Sequence, residues 1–126
     1  MVLVDTSVWI DYFRGGDQSH LMDRLFDENK VCTNEIILAE LIPYFTLKQE
    51  RNIIKAINKL QPAPLQIDWS EIIDFQVACL QNGANGIGIP DLIIAQNARQ
   101  HHYKFYSLDK HFRLLHDVIQ VQLYTI

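Results

Sequence analysis

The chemistry that this sequence suggests rests on acidic side chains that are far apart along the chain. Four of them follow or interrupt apolar segments: Asp5, Glu40, Asp91 and Asp109. Carboxylate oxygens together with water are the ligands that Mg²⁺ and Mn²⁺ prefer. A divalent ion held in this way lowers the pKa of water and stabilises charge that develops on a phosphoryl group. These residues are therefore our candidate metal ligands and catalytic groups.

Each acid also has a plainer structural explanation, and the set is more informative than any member. Asp5 and Asp109 follow short β-like segments, where an aspartate often caps the next helix. Asp91 falls in the first turn of a predicted helix, where the helix dipole favours a negative charge. Glu40 could lie on a solvated helix face, but its apolar neighbours at 36–42 suggest burial. A buried carboxylate needs a partner or a metal.

The elements that must position these acids alternate between β-like and helical segments. Apolar, β-branched runs predict strands at 2–4, 30–33, 65–67 and 104–106, and an extended segment at 118–124. Helical spacing predicts helices at 8–13, 17–29, 34–45, 46–60, 68–82, 90–101 and 110–115. This alternation predicts an α/β fold with a central, mostly parallel sheet flanked by helices. Parallel strands bring their carboxyl ends, and hence Asp5 and Asp109, to one edge.

Capping and interrupting residues refine these bounds. Thr6 or Ser7 is expected to cap the first helix, and the stretch 17–19 is expected to cap the second. Pro43 should kink or bend the helix that carries Glu40, because proline removes a backbone donor.

The composition favours one compact domain over 1–126. The chain has 126 residues, of which 48% are hydrophobic, enough for a sizeable core. No apolar stretch reaches the roughly 18 residues of a membrane span, and no basic, apolar leader precedes Asp5. We therefore expect a cytoplasmic protein without membrane attachment. Cys32 and Cys79 lie among apolar residues and are expected to be buried thiols, not a disulfide or a metal pair.

The acids stand in motifs that resemble those of a known family. The stretch Val-Leu-Val-Asp-Thr-Ser-Val-Trp-Ile-Asp at 2–11 resembles the opening of PIN-domain ribonucleases, in particular VapC-like toxins of bacterial toxin–antitoxin modules. The segments 38–41, 90–95 and 107–112 resemble the second, third and fourth family motifs. Ser107 replaces the commoner threonine of the fourth motif and keeps its hydroxyl.

The resemblance implies a PIN-like fold and endonucleolytic hydrolysis of RNA by a metal-activated water. It implies one or two Mg²⁺ or Mn²⁺ ions held by Asp5, Glu40, Asp91 and Asp109. It also implies a homodimer, and inhibition by a cognate antitoxin in a higher assembly. Beside the acids, Thr6 and Ser107 are expected to orient a carboxylate or a bound water without binding the metal themselves.

The charge balance bears on the RNA substrate. The formal net charge of −4 gives no general basic surface for nucleic acid. The 15 acids minus the four candidate ligands leave 11, equal to the 11 Lys and Arg residues, so the remaining surface is near neutral. A basic stripe is predicted on one helix: Lys48, Arg51, Lys55 and Lys59. It is either a solvated helix face or a rim that positions RNA phosphates.

Apolar side chains offer a second surface with two interpretations. Trp9, Phe13, Tyr44 and Phe45, with the apolar residues of the helices between 34 and 60, either fill the core or form a groove for an antitoxin helix.

Two other functional classes compete with the nuclease. One is a catalytically inert binding module with the PIN fold, although all four acids are present. The other is a receiver-like phosphoacceptor, which is also a parallel α/β domain that uses Mg²⁺. That class needs an acidic pair at the first strand and a lysine after a late strand, whereas Asp5 has no adjacent acid and Lys104 precedes its strand.

Overall fold

The protein is built around a parallel sheet of short strands, seen in a computed structural model that describes residues 1–17 and 19–124. In chain order the elements are β1 (Val2–Val4), α1 (Thr6–Phe13), α2 (Ser19–Asp27), β2 (Val31–Thr33), α3 (Glu35–Leu47), α4 (Arg51–Asn58), β3 (Gln61–Pro62), α5 (Trp69–Gln81), α6 (Ile89–Gln100), β4 (Lys104–Tyr106) and α7 (His111–Ile119). The sheet order is β3-β2-β1-β4, and every pairing between these strands is parallel. The predicted α/β fold is confirmed.

β1 lies inside the sheet because it has no polar face. Val2, Leu3 and Val4 are all buried, and β1 pairs with β2 on one side and β4 on the other. A strand covered on both faces by helices reads as a continuous apolar run. The carboxyl end of β1, where Asp5 follows, therefore lies in the middle of the sheet edge.

The helices pack their apolar faces onto this sheet, and both cysteines belong to that core. Cys32 in β2 and Cys79 in α5 are buried free thiols, as predicted. Burial raises the pKa of the Cys32 thiol to about 12, so this group stays protonated and unreactive. None of the helices within 1–17 and 19–124 combines the length and the apolar character that crossing a bilayer requires.

The predicted helix at 46–60 is present as α4, but it is shorter, because α3 continues to Leu47 and the chain turns before α4 begins at Arg51. Gln49 adopts a left-handed backbone conformation with φ of 59°. The amides of Gln49 and Glu50 bond back to the carbonyls of Thr46 and Phe45, which closes α3. α3 itself continues through Pro43, which is exposed, so water can bond the carbonyl that the proline leaves without a donor.

The third strand also differs from its prediction. β3 occupies Gln61–Pro62, for which no strand was predicted, while the predicted strand at 65–67 is not a strand. Proline is tolerated here because β3 is the edge of the sheet, and the ladder continues through the amide of Ala63 to the carbonyl of Thr33 at 2.7 Å.

Two predicted bounds near the chain ends also change. α7 continues to Ile119, beyond the predicted end at 115, because Phe112, Leu115 and Ile119 bury one helical face. The predicted extended segment at 118–124 is reduced to a single bridge between Leu123 and Phe105. Within the predicted cap at 17–19, Gln18 lies outside the described residues.

Candidate active site

Three strands and the helix α6 bring the candidate acids to one edge of the sheet. Asp5 directly follows β1, Asp109 follows β4, and α3 carries Glu40 after β2. The sheet order β2-β1-β4 therefore arranges them as a row, with Glu40 at one end and Asp109 at the other. Asp91 enters from the first turn of α6. We call these four residues the acid row.

The electrostatics of the acid row follow that order. The negative charges of Asp5 and Asp91 raise the pKa of Glu40, and those of Asp109 and Asp5 raise the pKa of Asp91. Glu40 and Asp91 therefore each lie within the electrostatic field of two other carboxylates. The four acids predicted from the sequence form one electrostatic cluster.

Asp5 is the most enclosed member, with 8% of its surface exposed. Its Oδ2 atom accepts hydrogen bonds from the hydroxyls of Ser7 and Ser107, each at 2.8 Å. The main chain fixes the residue further, because its amide bonds to the carbonyl of Tyr106 at 2.9 Å. One carboxylate oxygen is thus occupied by hydroxyls, and Oδ1 has no hydrogen-bond donor in the described part of the chain.

The two serines are themselves anchored by the loop that follows β4. The backbone N–H of Leu108 donates to Ser7 Oγ at 3.1 Å, and that of Asp109 donates to Ser107 Oγ at 2.9 Å. Each hydroxyl oxygen therefore accepts a hydrogen bond from a backbone N–H, and each hydroxyl donates its own hydrogen bond to Asp5. This arrangement holds the Asp5 carboxylate in one orientation.

Ser107 bonds to the Asp5 carboxylate, which is the kind of contact expected of it. The second hydroxyl on this carboxylate comes from Ser7 and not, as expected, from Thr6. The Thr6 hydroxyl is buried and has no hydrogen-bond partner within the described ranges. Asp5 itself is the N-cap residue of α1, so neither Thr6 nor Ser7 caps that helix. Ser7 lies in the first turn, where its hydroxyl reaches back to the residue two positions earlier, a local pattern typical of serine and aspartate.

Asp109 begins the turn into α7 and is exposed. Its Oδ1 atom accepts the backbone N–H of His111 at 2.9 Å. The imidazole Nδ1 of His111 lies 3.6 Å from the same oxygen. Asp109 is therefore held by its own loop at the outer end of the acid row.

Glu40 differs from the sequence expectation, because its side chain is exposed and not buried. The surrounding protein still displaces enough water to disfavour its charged form, and this desolvation is the main cause of its raised pKa. No hydrogen bond from the described residues offsets this effect. Leu41 is buried, and Ile36, Leu38 and Ile42 are partly buried against the core, whereas Glu40 itself is exposed.

Asp91 is partly buried, and burial is the main cause of its raised pKa. The backbone N–H of Gly88 and the imidazole of His111 act in the opposite direction and lower this pKa. Burial and the neighbouring acids outweigh both. Asp91 and Glu40 therefore both resist ionisation in the protein alone.

The donor set fits a hard divalent cation. Across residues 1–17 and 19–124 no three Asp, Glu, His or Cys side chains close into a ready-made metal cage. Mg²⁺ does not need one, since it keeps several waters and is commonly bound through one or two carboxylates. A cation would also relieve the repulsion that raises the pKa of Glu40 and Asp91, because a bound ion reverses the local preference for protonation.

The sequence predicted that the basic stripe lies on one helix, and this is wrong. α4 spans only Arg51–Asn58, so the first and last members of the stripe fall outside it. Lys48 follows α3, Lys59 follows α4, and only Arg51 and Lys55 lie within α4. All four side chains are exposed, and none is ion-paired with another described residue. The ammonium of Lys48 lies 5.2 Å from the centre of the Tyr44 ring.

An apolar groove of about 200 Å³ lies between the first four helices. Its lining residues are Trp9, Tyr12, Phe13, Phe26, Phe45, Ile53, Ala56 and Ile57. The indole N–H of Trp9 is buried and has no hydrogen-bond acceptor in the described part of the chain. Tyr44 is not a lining residue, and its ring packs edge-on against Phe13 and Phe45 at 6.4 and 5.2 Å.

Comparisons with known proteins agree with this architecture. A family model described as the PIN domain matches residues 2–117. Among solved structures, FitAcB from Neisseria gonorrhoeae is 22% identical with a TM-score of 0.75, covering 99% of this chain and 97% of the other. VapBC2 from Rickettsia felis bound to a promoter DNA fragment is 17% identical with a TM-score of 0.76, covering 98% of each chain.

A third solved structure is a toxin–antitoxin complex from Klebsiella pneumoniae. It is 21% identical with a TM-score of 0.64, covering 89% of this chain and 90% of the other. A comparison with curated protein sequences gives no match. At these identities the solved structures show a shared fold, and the acid row described above is the chemical feature on which a function can be argued.

Proposed function

The chain belongs to the PIN domain family, and on that premise we propose that it is a Mg²⁺- or Mn²⁺-dependent endoribonuclease acting as the toxin of a toxin–antitoxin pair. The observation that carries this proposal is the acid row, in which Asp5, Glu40, Asp91 and Asp109 converge from four separate elements. As an RNA-cleaving toxin the protein would act in the cytoplasm.

The four residues of the acid row would contribute unequally to metal binding. Asp5, Glu40 and Asp91 would hold the principal ion, while Asp109, which is exposed and bonded to the His111 amide, would be more peripheral. A divalent ion bound there would lower the pKa of a water and offset charge on the scissile phosphate. Ser7 and Ser107 hold Oδ2 of Asp5, so Oδ1 stays directed at the cleft. A carboxylate fixed in this way needs no reorganisation when substrate arrives.

The test is cleavage of a panel of RNAs by the purified protein with Mg²⁺ or Mn²⁺, beside an Asp5→Asn variant of the same fold. We expect metal-dependent cleavage that the variant loses. Undiminished cleavage by a folded Asp5→Asn protein would refute the assigned site. No cleavage by the wild type at any Mn²⁺ concentration would favour the inert binding module. The receiver-like alternative has lost its support, since the family match is to the PIN domain.

The apolar groove supports an antitoxin segment as partner. A solved structural neighbour is a toxin–antitoxin complex, and a groove lined by aromatic side chains suits one face of an amphipathic helix. Because the buried indole N–H of Trp9 lacks an acceptor, a segment that offers an oxygen there would satisfy it. Antitoxin bound in this groove would inhibit cleavage in a larger assembly.

A short reading frame next to the gene would identify a candidate antitoxin, and its product tests this partner. Phe26 lines the groove and is 37% exposed, whereas Leu47 is 87% exposed and outside it. We expect Phe26→Ala to weaken binding by at least about tenfold, in line with loss of an interface aromatic, and Leu47→Ala to leave it unchanged. Equal binding by both variants would count against the groove.

A separate apolar stripe on α5 supports the homodimer. Four side chains on one side of this helix are between 48% and 62% exposed: Trp69, Ile73, Val77 and Leu80. These four positions extend along almost the whole of α5, so an antiparallel second copy would set Trp69 near Leu80 of the partner subunit. A twofold interface of this kind requires a self-complementary patch. Exposed apolar patches of this extent commonly mark an interface.

The dimer is tested by sedimentation. We expect wild-type protein to sediment as a dimer and Ile73→Asp as a folded monomer, while Leu47→Asp, at an even more exposed site elsewhere, stays dimeric. A monomeric wild type would refute the homodimer, and a dimeric Ile73→Asp would place its interface on another surface.

A further inference from the structure

A cavity of about 360 Å³ opens beside the acid row at its Asp109 end. Its lining includes Ser107, Leu108, Asp109, Lys110, Arg113 and Tyr124. The volume falls within the range of about 300–1,000 Å³ that is typical of small-molecule sites. Two of its residues, Ser107 and Asp109, also belong to the hydrogen-bonded loop around Asp5. A group seated in this cavity therefore lies next to the acids.

The cavity presents positive charge at the edge of a negative cluster. Lys110 and Arg113 are three positions apart at the start of α7, so they share one side of the helix. Both are exposed, and neither forms an ion pair within the described ranges. The basic residues around α4, in contrast, line neither this cavity nor the apolar groove. Lys110 and Arg113 are thus the cations placed to meet a phosphate beside Asp109.

The same cavity offers apolar and aromatic surface. The Leu108 side chain is 45% exposed, and the Tyr124 ring packs against the Tyr106 ring with 5.2 Å between centres. Any of the four bases can stack on a surface of this kind, because each has a flat aromatic face, while basic side chains contact the phosphate backbone of the strand. The combination of stacking surface and paired cations matches a nucleotide better than it matches an apolar ligand or a free anion.

We propose that this cavity is a nucleotide subsite, which takes one nucleotide of the RNA strand adjacent to the scissile phosphate. The base would lie against Leu108 and Tyr124, and the neighbouring phosphate would contact Lys110 and Arg113. This inference rests on the proposed endoribonuclease function and adds where the strand is held. It assigns the RNA-binding side of the site to α7 and not to α4.

The charge part is tested by binding of a short, fluorescently labelled single-stranded RNA to the full chain in EDTA, over a range of salt concentrations. We expect Arg113→Ala to weaken binding by about tenfold and to lower the slope of log affinity against log salt by about 0.7, the value for one phosphate contact on a single strand. Arg51→Ala removes the same charge from α4 and should change the affinity less than about twofold.

The stacking part is tested by Tyr124→Ala and Leu108→Ala in the same assay. Loss of one stacked base should weaken binding at least about fivefold while leaving the salt slope unchanged. Tyr124→Trp should restore binding, because it keeps a ring at this position. Thermal melts of each variant establish that it is folded, and Leu108→Ala serves if Tyr124→Ala is not.

The outcomes separate this inference from the function on which it rests. If the wild type binds and cleaves RNA but Arg113→Ala behaves like Arg51→Ala, the subsite is wrong and the nuclease stands. If the charge change affects binding but the Leu108 and Tyr124 changes do not, the cavity holds a phosphate and no base, which overturns the nucleotide assignment. If the wild type neither binds nor cleaves any RNA, the proposed function fails and the subsite fails with it.

Discussion

The two halves of the acid row differ in how the protein treats their charge. Asp5 and Asp109, which follow strands, accept hydrogen bonds from serine hydroxyls or from a backbone N–H. Glu40, carried by α3, accepts none from the described residues, and Asp91 receives one from Gly88 that does not offset its burial. The strand half is organised in advance, whereas the helix half is left electrostatically unsatisfied.

Under the proposed function, a bound cation would therefore act unequally on the two halves of the acid row. Hydrogen bonds to a carboxylate favour its charged form, while burial and like charges disfavour it. Asp5 can therefore present its free oxygen before a metal arrives. A bound metal ion would affect Glu40 and Asp91 most, because its positive charge would favour their ionised forms against burial and the neighbouring acids, which raise their pKa values. The predictions below test this contrast in order of expected effect.

Asp5→Asn should have the largest effect. The change keeps the shape of the side chain but removes its negative charge. It also replaces one carboxylate oxygen, which accepts hydrogen bonds, by an amide NH₂ group, which donates them. We expect cleavage to fall by at least about 100-fold, because loss of a proposed ligand should cost at least as much as the roughly 10- to 100-fold typical for loss of a group that supports one. Rates of RNA cleavage at saturating Mn²⁺ measure this. A fall of less than about tenfold would remove Asp5 from the centre of the site.

Ser7→Ala tests whether the hydroxyl contacts matter in the strand half. Loss of one donor to Oδ2 leaves Asp5 less well oriented, and such supporting contacts typically contribute about 10- to 100-fold in metal affinity or activity. Mn²⁺ affinity, measured by calorimetry, should fall together with cleavage. Thr6→Val is the matched control, because the Thr6 hydroxyl is buried without a partner. An effect of Thr6→Val as large as that of Ser7→Ala would reverse this assignment.

Glu40→Gln tests the helix half through the pH dependence of stability. The pKa of Glu40 is raised above its ordinary value of 4.5, so the folded protein binds this proton more tightly than the unfolded chain does. Its contribution to the free energy of unfolding is therefore complete below about pH 4.5 and is lost as pH rises through the raised pKa. Without metal, Glu40→Gln should gain stability relative to the wild type over that window.

Urea unfolding in EDTA at several pH values between about 4 and 8 measures this difference. Mn²⁺ should reverse it, since only the wild type regains a ligand. If the difference in free energy of unfolding between the two proteins is the same at every pH, ionisation of Glu40 does not destabilise the fold.

Lys55→Glu is expected to have the smallest effect on RNA. Lys55 is exposed on α4, which packs against α3 beyond the Glu40 end of the row. If it is a solvated residue, RNA affinity and its salt slope change little. If α4 is instead a rim that positions phosphates, the slope falls by about 0.7, as expected for one lost phosphate contact on a single strand. The assignment of Lys48, Arg51, Lys55 and Lys59 to RNA is decided by that slope.

Several parts of the fold follow from the sequence because they rest on strong local patterns. The run Val2–Val4 is apolar on both faces, which predicts a central strand, and alternation of such runs with helical spacing predicts a parallel sheet. The carboxyl ends of those strands share an edge, and this brings Asp5 and Asp109 together. These inferences needed no knowledge of which strand neighbours which.

Other parts were wrong because the deciding contacts are distant or depend on one backbone angle. The end of α3 depends on the left-handed conformation of Gln49, a residue type that gives no such signal. β3 exists because the edge of β2 offers donors and acceptors to 61–62, so a proline-containing segment joins the sheet and the apolar one at 65–67 does not.

What the sequence determined by itself was the donor chemistry, four carboxylates in order at the ends of predictable elements. What only the tertiary structure decided was how each carboxylate is held. Ser7 and Ser107 are 100 positions apart, yet both hydroxyls meet at Asp5 Oδ2, because β1 and β4 are neighbours in the sheet. Glu40 has apolar sequence neighbours but an exposed side chain, because orientation around a helix, and not composition, sets which residues the core covers.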